Sequence, residues 1–219
     1  MKILPGIRPK VWWEDFWRNP LCDYGDPGKT LLSFATEFYS ELARDSVKPK
    51  AVDIGSGNGR YAVSLAEIGY AVDAVELASS GVKRILKAAE QNNVAVNAIQ
   101  ADFTQIWQMQ KNYDLVLSSG LIEEVDPIHH KNIIHGHQNW TKKGGYALIK
   151  YCLEIKGRGQ LVEEDLVPGL FTNSNWKIIY ANEEKEMHPS RAKFTKENEI
   201  DSAIRTGTII VQKLATRSQ

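Results

Sequence analysis

Short apolar runs alternate with stretches of helical spacing from residue 50 to residue 150. The first run, Lys50 to Ile54, ends at Gly55, and beyond Asn58 apolar residues recur with helical spacing as far as Ile68. Further strands are predicted over Ala71 to Leu77, Val94 to Ile99, Asp114 to Ser118 and Tyr146 to Cys152, with helices after an N-cap at Ser79 or Ser80 and over Pro127 to Trp140. This alternation indicates βαβ units and a parallel sheet.

The tail of the chain has a different pattern. Trp176 to Tyr180 and Thr208 to Lys213 resemble strands, and no clear helix separates them, which predicts an antiparallel pair at the end of the sheet. The polar, charged segment from Ala181 to Arg205 is predicted to be a long loop. The predicted fold class is therefore α/β, a doubly wound, mostly parallel sheet of seven strands with an N-terminal helical cover.

The N-terminal part contains a predicted amphipathic helix from Pro27 to Arg44, with Asp26 as N-cap. Ahead of it, Val11 to Arg18 carries three of the six tryptophans. So much aromatic surface must pack on the core or close over a ligand. We therefore expect residues 1–46 to form a cover or lid and residues 47–219 to form the ligand-binding domain.

Composition and charge narrow the class of protein. The 219 residues suit one domain, and 42% hydrophobic with 25% charged residues is typical of a soluble globular protein. The balance of 27 Lys and Arg against 27 Asp and Glu gives no electrostatic reason for a nucleic acid or an anionic membrane as partner. Two cysteines make no disulfide framework, and neither a signal peptide nor a membrane-spanning run is visible, so we expect a cytoplasmic protein of undetermined oligomeric state.

A glycine-rich loop follows the first predicted strand, in the sequence Asp53-Ile-Gly-Ser-Gly-Asn-Gly-Arg60. Glycines between a strand and a helix let the backbone approach a ligand closely at the carboxyl end of the strand. The spacing is G-x-G-x-G, and Arg60 stands where a dinucleotide-binding loop has its third glycine. A carboxylate at Asp53 would repel a pyrophosphate and would favour a ligand that carries an ammonium and a sulfonium group.

Two further acids end the next two predicted strands. Glu76 can accept hydrogen bonds from ribose hydroxyls, and Asp102 from an adenine amino group, with Phe103 beside the ring. Each acid alone fits a helix cap equally well, but three acids at the ends of consecutive strands favour S-adenosylmethionine. The predicted cofactor-binding residues are Asp53, Gly55, Ser56, Gly57, Asn58, Gly59, Glu76, Leu77, Asp102, Phe103, Ser118 and Ser119.

The motif from Asp53 to Gly59, together with Glu76 and Asp102, resembles the donor-binding motifs of class I S-adenosylmethionine-dependent methyltransferases over about residues 50–150. The resemblance implies a Rossmann-like sheet of seven strands whose last strand is antiparallel, and Thr208 to Lys213 is suited to be that strand.

A narrower resemblance links the chain to the tellurite-resistance and thiopurine methyltransferase group. Asn58-Gly-Arg60 and the tail around His188 are similar to that group, and Trp13-Glu-Asp-Phe-Trp17 is similar to the tryptophan-bearing N-terminal segment of the thiopurine enzymes. In the tellurite enzymes an arginine follows the tail histidine, whereas Pro189 stands here.

Methyl transfer is an in-line displacement in which the enzyme mostly aligns donor and acceptor. A hydroxyl or ammonium acceptor also needs a general base, for which His188 and Glu123 are the candidate catalytic residues. A solvated loop histidine is the alternative for His188. The candidate substrate-binding residues are Trp13, Trp17, Tyr24 and Arg191, although packing is the alternative for the tryptophans.

Four histidines between positions 129 and 137 raise the question of a metal site. On a helix, His129, His130, His135 and His137 do not gather into one cluster, and no Cys or carboxylate pair completes a ligand set. The pattern predicts a solvated helix face and no metal.

The sequence therefore predicts a methyltransferase that uses S-adenosylmethionine and a small-molecule acceptor, methylated at S, Se or Te, O or N. Two alternatives stay open at this point. One is an oxidoreductase of the NAD type, and the other is a nucleoside-binding module without catalysis.

Overall fold

Eight strands form one sheet in the computed structural model, which describes residues 8–22, 24–44, 48–106, 112–155, 159–187 and 203–215. The strands are β1 (Lys50–Ile54), β2 (Ala71–Glu76), β3 (Val96–Gln100), β4 (Tyr113–Ser119), β5 (Thr141–Ile155), β6 (Gly159–Gln160), β7 (Trp176–Met187) and β8 (Ala203–Lys213). The helices are α1 (Lys10–Arg18), α2 (Lys29–Leu42), α3 (Arg60–Ile68), α4 (Ser79–Gln91), α5 (Phe103–Ile106), α6 (His130–Trp140) and α7 (Leu166–Gly169), with 3₁₀ turns at Ile122–Glu124 and Pro127–His129.

The strand order confirms the predicted fold class. The main path is β3-β2-β1-β4-β5-β8-β7, and the short β6 pairs with β5. Strands β1 to β5 run parallel, whereas β8 is antiparallel to both β5 and β7. The order reverses between β1 and β4, and the crevice at such a point is where open α/β sheets bind ligands.

Apolar side chains cover both faces of the sheet. Successive residues of β4 alternate between two buried clusters, because Leu115 and Leu117 pack on one face and Val116 on the other. Helix α2 belongs to the first of these clusters, and its Phe38 ring stacks on Tyr146 of β5 with 3.7 Å between ring centroids. Among the described helices, none has the length and apolarity needed to cross a membrane.

The start of α2 differs from the prediction. The helix begins at Lys29, and its N-cap is Gly28 rather than Asp26. The reason is a set of contacts from α3, since the Gly28 N–H donates to the Tyr61 hydroxyl at 2.9 Å and the Arg60 guanidinium donates to the Tyr24 carbonyl at 2.7 Å. These bonds hold the chain before Lys29 against the start of α3.

The predicted loop from Ala181 to Arg205 is wrong at both ends. Strand β7 continues to Met187, and β8 begins at Ala203, which is the register partner of Met187. The sequence pattern did not predict the longer β7, because β7 is the last strand of the sheet and its residues 181–185 are exposed. An exposed edge strand is commonly polar and charged, which gives it the composition of a loop.

The predicted solvated histidine face is wrong for two of its four histidines, whereas His135 is exposed. His130 and His137 are buried, with 3% and 0% of their surfaces exposed. Each has hydrogen-bond partners, because the His130 ring lies 3.2 Å from the Val125 carbonyl and His137 bonds the Ile133 carbonyl and the Ser118 hydroxyl. Burial lowers the pKa of His137 to about 4, so the ring is neutral near pH 7.

Candidate active site

A cavity of about 910 Å³ opens at the carboxyl ends of β1, β2 and β4. Its volume lies at the upper end of the range for small-molecule sites, so it has room for a nucleoside-type ligand and a second molecule. The structure brings fourteen of the predicted site residues to its wall: Trp13, Trp17, Tyr24, Asp53, Gly55, Ser56, Gly57, Asn58, Glu76, Leu77, Asp102, Phe103, Ser119 and Glu123.

Asp53 lines this cavity near the end of β1. Only 2% of its surface is exposed, and burial raises the pKa of its carboxyl to about 7. Its Oδ2 atom has no hydrogen-bond partner within the described part of the chain. A buried oxygen of this kind favours a ligand that brings a hydrogen-bond donor or a positive charge.

Glu76 joins the end of β2 to the glycine loop. Its Oε2 accepts the Gly57 N–H at 2.9 Å, and its Oε1 accepts the Ala78 N–H at 2.9 Å. Burial raises the pKa of this carboxyl, although the backbone donors oppose the shift. A carboxylate offers about four lone-pair positions, so these two bonds leave room for ligand hydroxyls.

Two glycines of the loop have separate roles. Gly57 has φ +58°, and a Cβ at this position would lie 2.7 Å from the Trp17 ring. Gly59 does not line the cavity; it is the N-cap of α3, and a Cβ there would lie 3.1 Å from the Cα of Ile85 in α4. Gly59 therefore lets two helices pack closely, which the sequence motif did not distinguish from ligand contact.

Asp102 lines the cavity and also caps a helix. Its Oδ1 accepts the Thr104 N–H at 2.9 Å and the Thr104 hydroxyl at 2.7 Å, at the start of α5. Asp102 is therefore a capping acid, which was the alternative interpretation from the sequence, and it also lines the cavity. Phe103 lies beside it on the same wall.

The two predicted serines at the end of β4 point to different surroundings. Ser119 lines the cavity, but Ser118 is fully buried and does not. The Ser118 hydroxyl lies 2.8 Å from His137 Nε2, while His137 Nδ1 lies 2.8 Å from the Ile133 carbonyl. The carbonyl requires a proton on Nδ1, so Ser118 donates to Nε2 and anchors β4 to α6.

Helix α1 lies against α4 and closes one side of the cavity. Glu14 of α1 accepts the N–H groups of Ser79 and Ser80 at 2.8 and 3.0 Å. Although burial opposes the shift, these bonds lower the pKa of Glu14 to about 2. The predicted N-cap at Ser79 or Ser80 is wrong, since both residues lie inside α4 and an acid from another helix supplies the cap.

The end of the cavity beyond β4 contains Glu123, Glu124 and Arg8. The Arg8 guanidinium donates to both oxygens of Glu124, at 2.9 and 2.8 Å, so these two charges pair with each other. Glu123 is half-buried, and its Oε1 would lie 3.7 Å from a Cβ on Gly120. Apolar side chains complete this end, among them Leu121, Val125, Tyr151, Ile155, Leu161 and Ile204.

The Arg8–Glu124 pair leaves no signal in the sequence, because Arg8 belongs to no motif and lies 116 positions from Glu124. Two predicted residues, His188 and Arg191, lie outside the described residues. Within the described residues, no group of three or more His, Cys, Asp or Glu side chains is arranged to hold a metal ion.

The family described as "Tellurite resistance protein TehB" matches residues 35–160, which is more than half of the chain. The chain belongs to the TehB family. The match begins within α2 and ends at β6, so α1 and the β7–β8 pair lie outside it. The TehB match therefore contains the glycine loop and all three strand-end acids, but not the tryptophans of α1.

Two curated relatives resemble this TehB-family chain over about 100 residues. The ubiquinone biosynthesis O-methyltransferase of Rickettsia akari is 32% identical over 102 residues, which are 47% of this chain and 39% of the relative. The probable S-adenosyl-L-methionine-dependent methyltransferase TehB of Haemophilus influenzae is 27% identical over 100 residues, which are 46% and 35%. The alignments thus span little more than a third of each relative.

Solved structures share the fold of this TehB-family chain. TehB from Haemophilus influenzae superimposes with a TM-score of 0.63 at 18% identity, covering 81% of this chain and 62% of that protein. Magnesium protoporphyrin IX methyltransferase from Synechocystis PCC 6803, solved with bound SAH, gives a TM-score of 0.60 at 13% identity, covering 91% and 96%. The fold is therefore the Rossmann-like methyltransferase fold.

Proposed function

We propose that this protein transfers a methyl group from S-adenosylmethionine to a small-molecule acceptor. The observation that carries the proposal is the buried Asp53 carboxylate, whose Oδ2 has no hydrogen-bond partner among the described residues and which lines the same cavity as Glu76. A positively charged adenosyl ligand fits this pair of acids better than a pyrophosphate does. Membership of the TehB family supports the same activity.

The residues present fit the donor from end to end. Asp53 would hold the ammonium group, Glu76 the ribose hydroxyls, and Asp102 with Phe103 the adenine. The glycine loop gives its backbone close access to the ligand, because Gly57 carries no side chain. When bound, S-adenosylmethionine supplies a methyl group on a positively charged sulfur.

The acceptor would lie between the end of β4 and the apolar end of the cavity. The protein aligns its heteroatom with the methyl carbon and excludes water, and such alignment contributes up to about 7–11 kcal/mol in favourable cases. For a protonated acceptor, Glu123 would take the proton as the new bond forms and the carbon–sulfur bond breaks. His188 is the second candidate base from the sequence.

A small organic or inorganic acceptor is favoured over a nucleic acid. The described cavity wall carries seven carboxylate side chains against three from Lys and Arg, and this balance repels a phosphate backbone. One relative is named for ubiquinone biosynthesis and the matching family is described by tellurite resistance, so the methylated atom is proposed only as S, Se or Te, O or N. Within the described residues Cys22 and Cys152 form no disulfide, which suits a reducing cytoplasm.

Methyl transfer to a panel of acceptors tests the proposal. The chain would be incubated with S-adenosylmethionine and thiols, selenite, tellurite, small carboxylic acids or amines, and the products weighed by mass spectrometry. We expect one acceptor to gain the mass of one methyl group. Glu123→Gln should slow transfer to a protonated acceptor without changing donor affinity, whereas Glu163→Gln, at an exposed position, should change neither. Tight donor binding with no methylated product would identify a binding module instead.

A further inference from the structure

The indole N–H of Trp17 is a buried hydrogen-bond donor on the wall of the donor cavity. Trp17 is 3% exposed, and its Nε1 has no partner within the described residues. An unpaired buried donor is uncommon in proteins because it forfeits the bonds it would make with water. A ligand that accepts this hydrogen bond would remove that cost.

The neighbours of the ring show which way the N–H edge faces. Trp17 Cζ2 would lie 2.7 Å from a Cβ on Gly57, and Trp17 Cδ1 would lie 3.1 Å from a Cβ on Gly81. Nε1 lies on the edge of the indole between these two carbons. Nε1 therefore lies between the glycine loop and the first turn of α4.

Glu76 borders the same gap. Its Cγ would lie 2.7 Å and its carboxyl carbon 3.1 Å from the Cβ position of Gly81. A side chain at Gly57 or Gly81 would therefore collide with the Trp17 indole, and one at Gly81 also with Glu76. The Arg84 guanidinium lies 5.7 Å from the ring centroid and helps to fix the indole.

We propose that Trp17 and Glu76 clamp the ribose of the adenosyl donor between them. One ribose hydroxyl accepts the hydrogen bond from Trp17 Nε1 and donates its own proton to the Glu76 carboxylate. This inference rests on the proposed function, and it moves Trp17 from the acceptor, where the sequence placed it, to the donor.

A hydroxyl suits this gap better than a carboxylate does. A hydroxyl both accepts and donates, which matches the indole N–H on one side and the acid on the other. The carboxylate of the donor's amino-acid end would instead face Glu76, and two like charges in a partly buried site repel each other.

The clamp gives α1 a function in donor binding. Glu14 holds α1 on the N-terminus of α4, and the Arg84 side chain donates to the carbonyls of Asn19 and Cys22 just after the helix. Helix α1 would therefore complete the donor site as well as cover it. Because α1 lies outside the TehB match, this is a feature that the family motif does not supply.

Binding of adenosyl ligands to Trp17→Phe tests the clamp. The substitution keeps an aromatic ring but removes the N–H. S-adenosylhomocysteine and 5′-methylthioadenosine both contain the ribose diol, so each should bind the variant about three- to tenfold more weakly than it binds the wild-type chain. Analogues of methylthioadenosine without the 2′- or the 3′-hydroxyl identify the atom, because one of them should bind both proteins equally.

Trp12→Phe is the matched control, since Trp12 lies on the same helix, is 36% exposed and does not line the cavity. A loss confined to S-adenosylhomocysteine would assign Trp17 to the amino-acid end and overturn the ribose clamp. Equal binding of all ligands by wild type and Trp17→Phe would overturn it as well. If the wild-type chain bound no adenosyl ligand, the proposed function itself would fail.

Discussion

The Glu76 carboxylate accepts the backbone N–H of Gly57 at 2.9 Å, and this bond fixes the glycine loop against the end of the neighbouring strand. The acid therefore belongs to the scaffold of the loop as well as to the proposed ribose site. Its second oxygen accepts the Ala78 N–H. Each carboxylate oxygen therefore pairs with a buried backbone N–H group.

Glu76→Gln should weaken both the fold and donor binding. The carboxamide has one oxygen, so its NH₂ group must face either the Gly57 or the Ala78 N–H. Leaving a buried donor unpaired costs about 1–3 kcal/mol. We expect a loss of that size in urea unfolding and at least a tenfold loss of S-adenosylhomocysteine affinity in calorimetry. Glu90→Gln, at an exposed position on the same α4 helix, should leave both quantities unchanged.

Donor binding should depend on pH through Asp53. Burial raises the pKa of this carboxyl to about 7, whereas the ammonium group of the ligand favours the ionised form. Affinity for S-adenosylhomocysteine should therefore rise between about pH 5 and pH 7 and level off above. Asp53→Asn should bind more weakly with a shallower slope, while Glu76 accounts for the slope that remains. An unchanged slope in calorimetry at several pH values would show that Asp53 does not contact the charge.

The same carboxyl has the opposite effect on the ligand-free fold. Between about pH 4 and pH 7, Asp53 holds its proton in the folded chain and loses it in the unfolded chain. Its contribution to the free energy of unfolding should therefore decrease as pH rises through this window. Urea unfolding of wild type and Asp53→Asn across the window measures the difference, and parallel curves for the two proteins would contradict the assignment.

Gly57→Ala should be more harmful than the conformation of Gly57 alone explains. A left-handed backbone costs an alanine about 1–2 kcal/mol, and here the new Cβ would also lie 2.7 Å from the Trp17 ring. Gly144→Ala is the matched control, since its φ is +81° and no atom lies within 4 Å of the new Cβ. We expect both variants to lose stability and Gly57→Ala alone to lose donor binding. Equal effects would mean that the contact with Trp17 is unimportant.

Glu14→Gln should loosen α1 from the rest of the chain. The charge of Glu14 caps the N-terminus of α4, where removing a capping group costs about 1 kcal/mol. Proteolysis between α1 and α2 should become faster, and donor affinity should decrease. Asp15→Asn is the control because Asp15 pairs with Arg18 on the surface of α1, at 2.6 Å. If the two variants were cleaved at similar rates, the Glu14 cap would not be what holds α1 on α4.

The sequence predicted the sheet and its acids because both leave local signals. Asp53 lies one residue before the end of β1, Glu76 ends β2, and the glycines mark the turn between strand and helix. Parallel strands bring such ends together, so their meeting followed from the strand pattern. The predicted seven strands correspond to the main path of the sheet.

Contacts between distant segments could not be predicted in this way. Glu14 caps α4 from 65 positions away, so the pattern around Ser79 favoured a local cap that the structure does not use. His137 was predicted to be solvated because a polar side chain usually lies at the surface. Its hydrogen bond with the Ser118 hydroxyl leaves no signal in the sequence. Side-chain partners of this kind are set by packing rather than by spacing.

The most direct test of the account is a calorimetric titration of the whole chain with S-adenosylmethionine and, separately, with NAD. The acids at the ends of β1 and β2 predict that one molecule of S-adenosylmethionine binds per chain and that NAD, with its pyrophosphate, does not. Binding of NAD without any heat from S-adenosylmethionine would contradict the account.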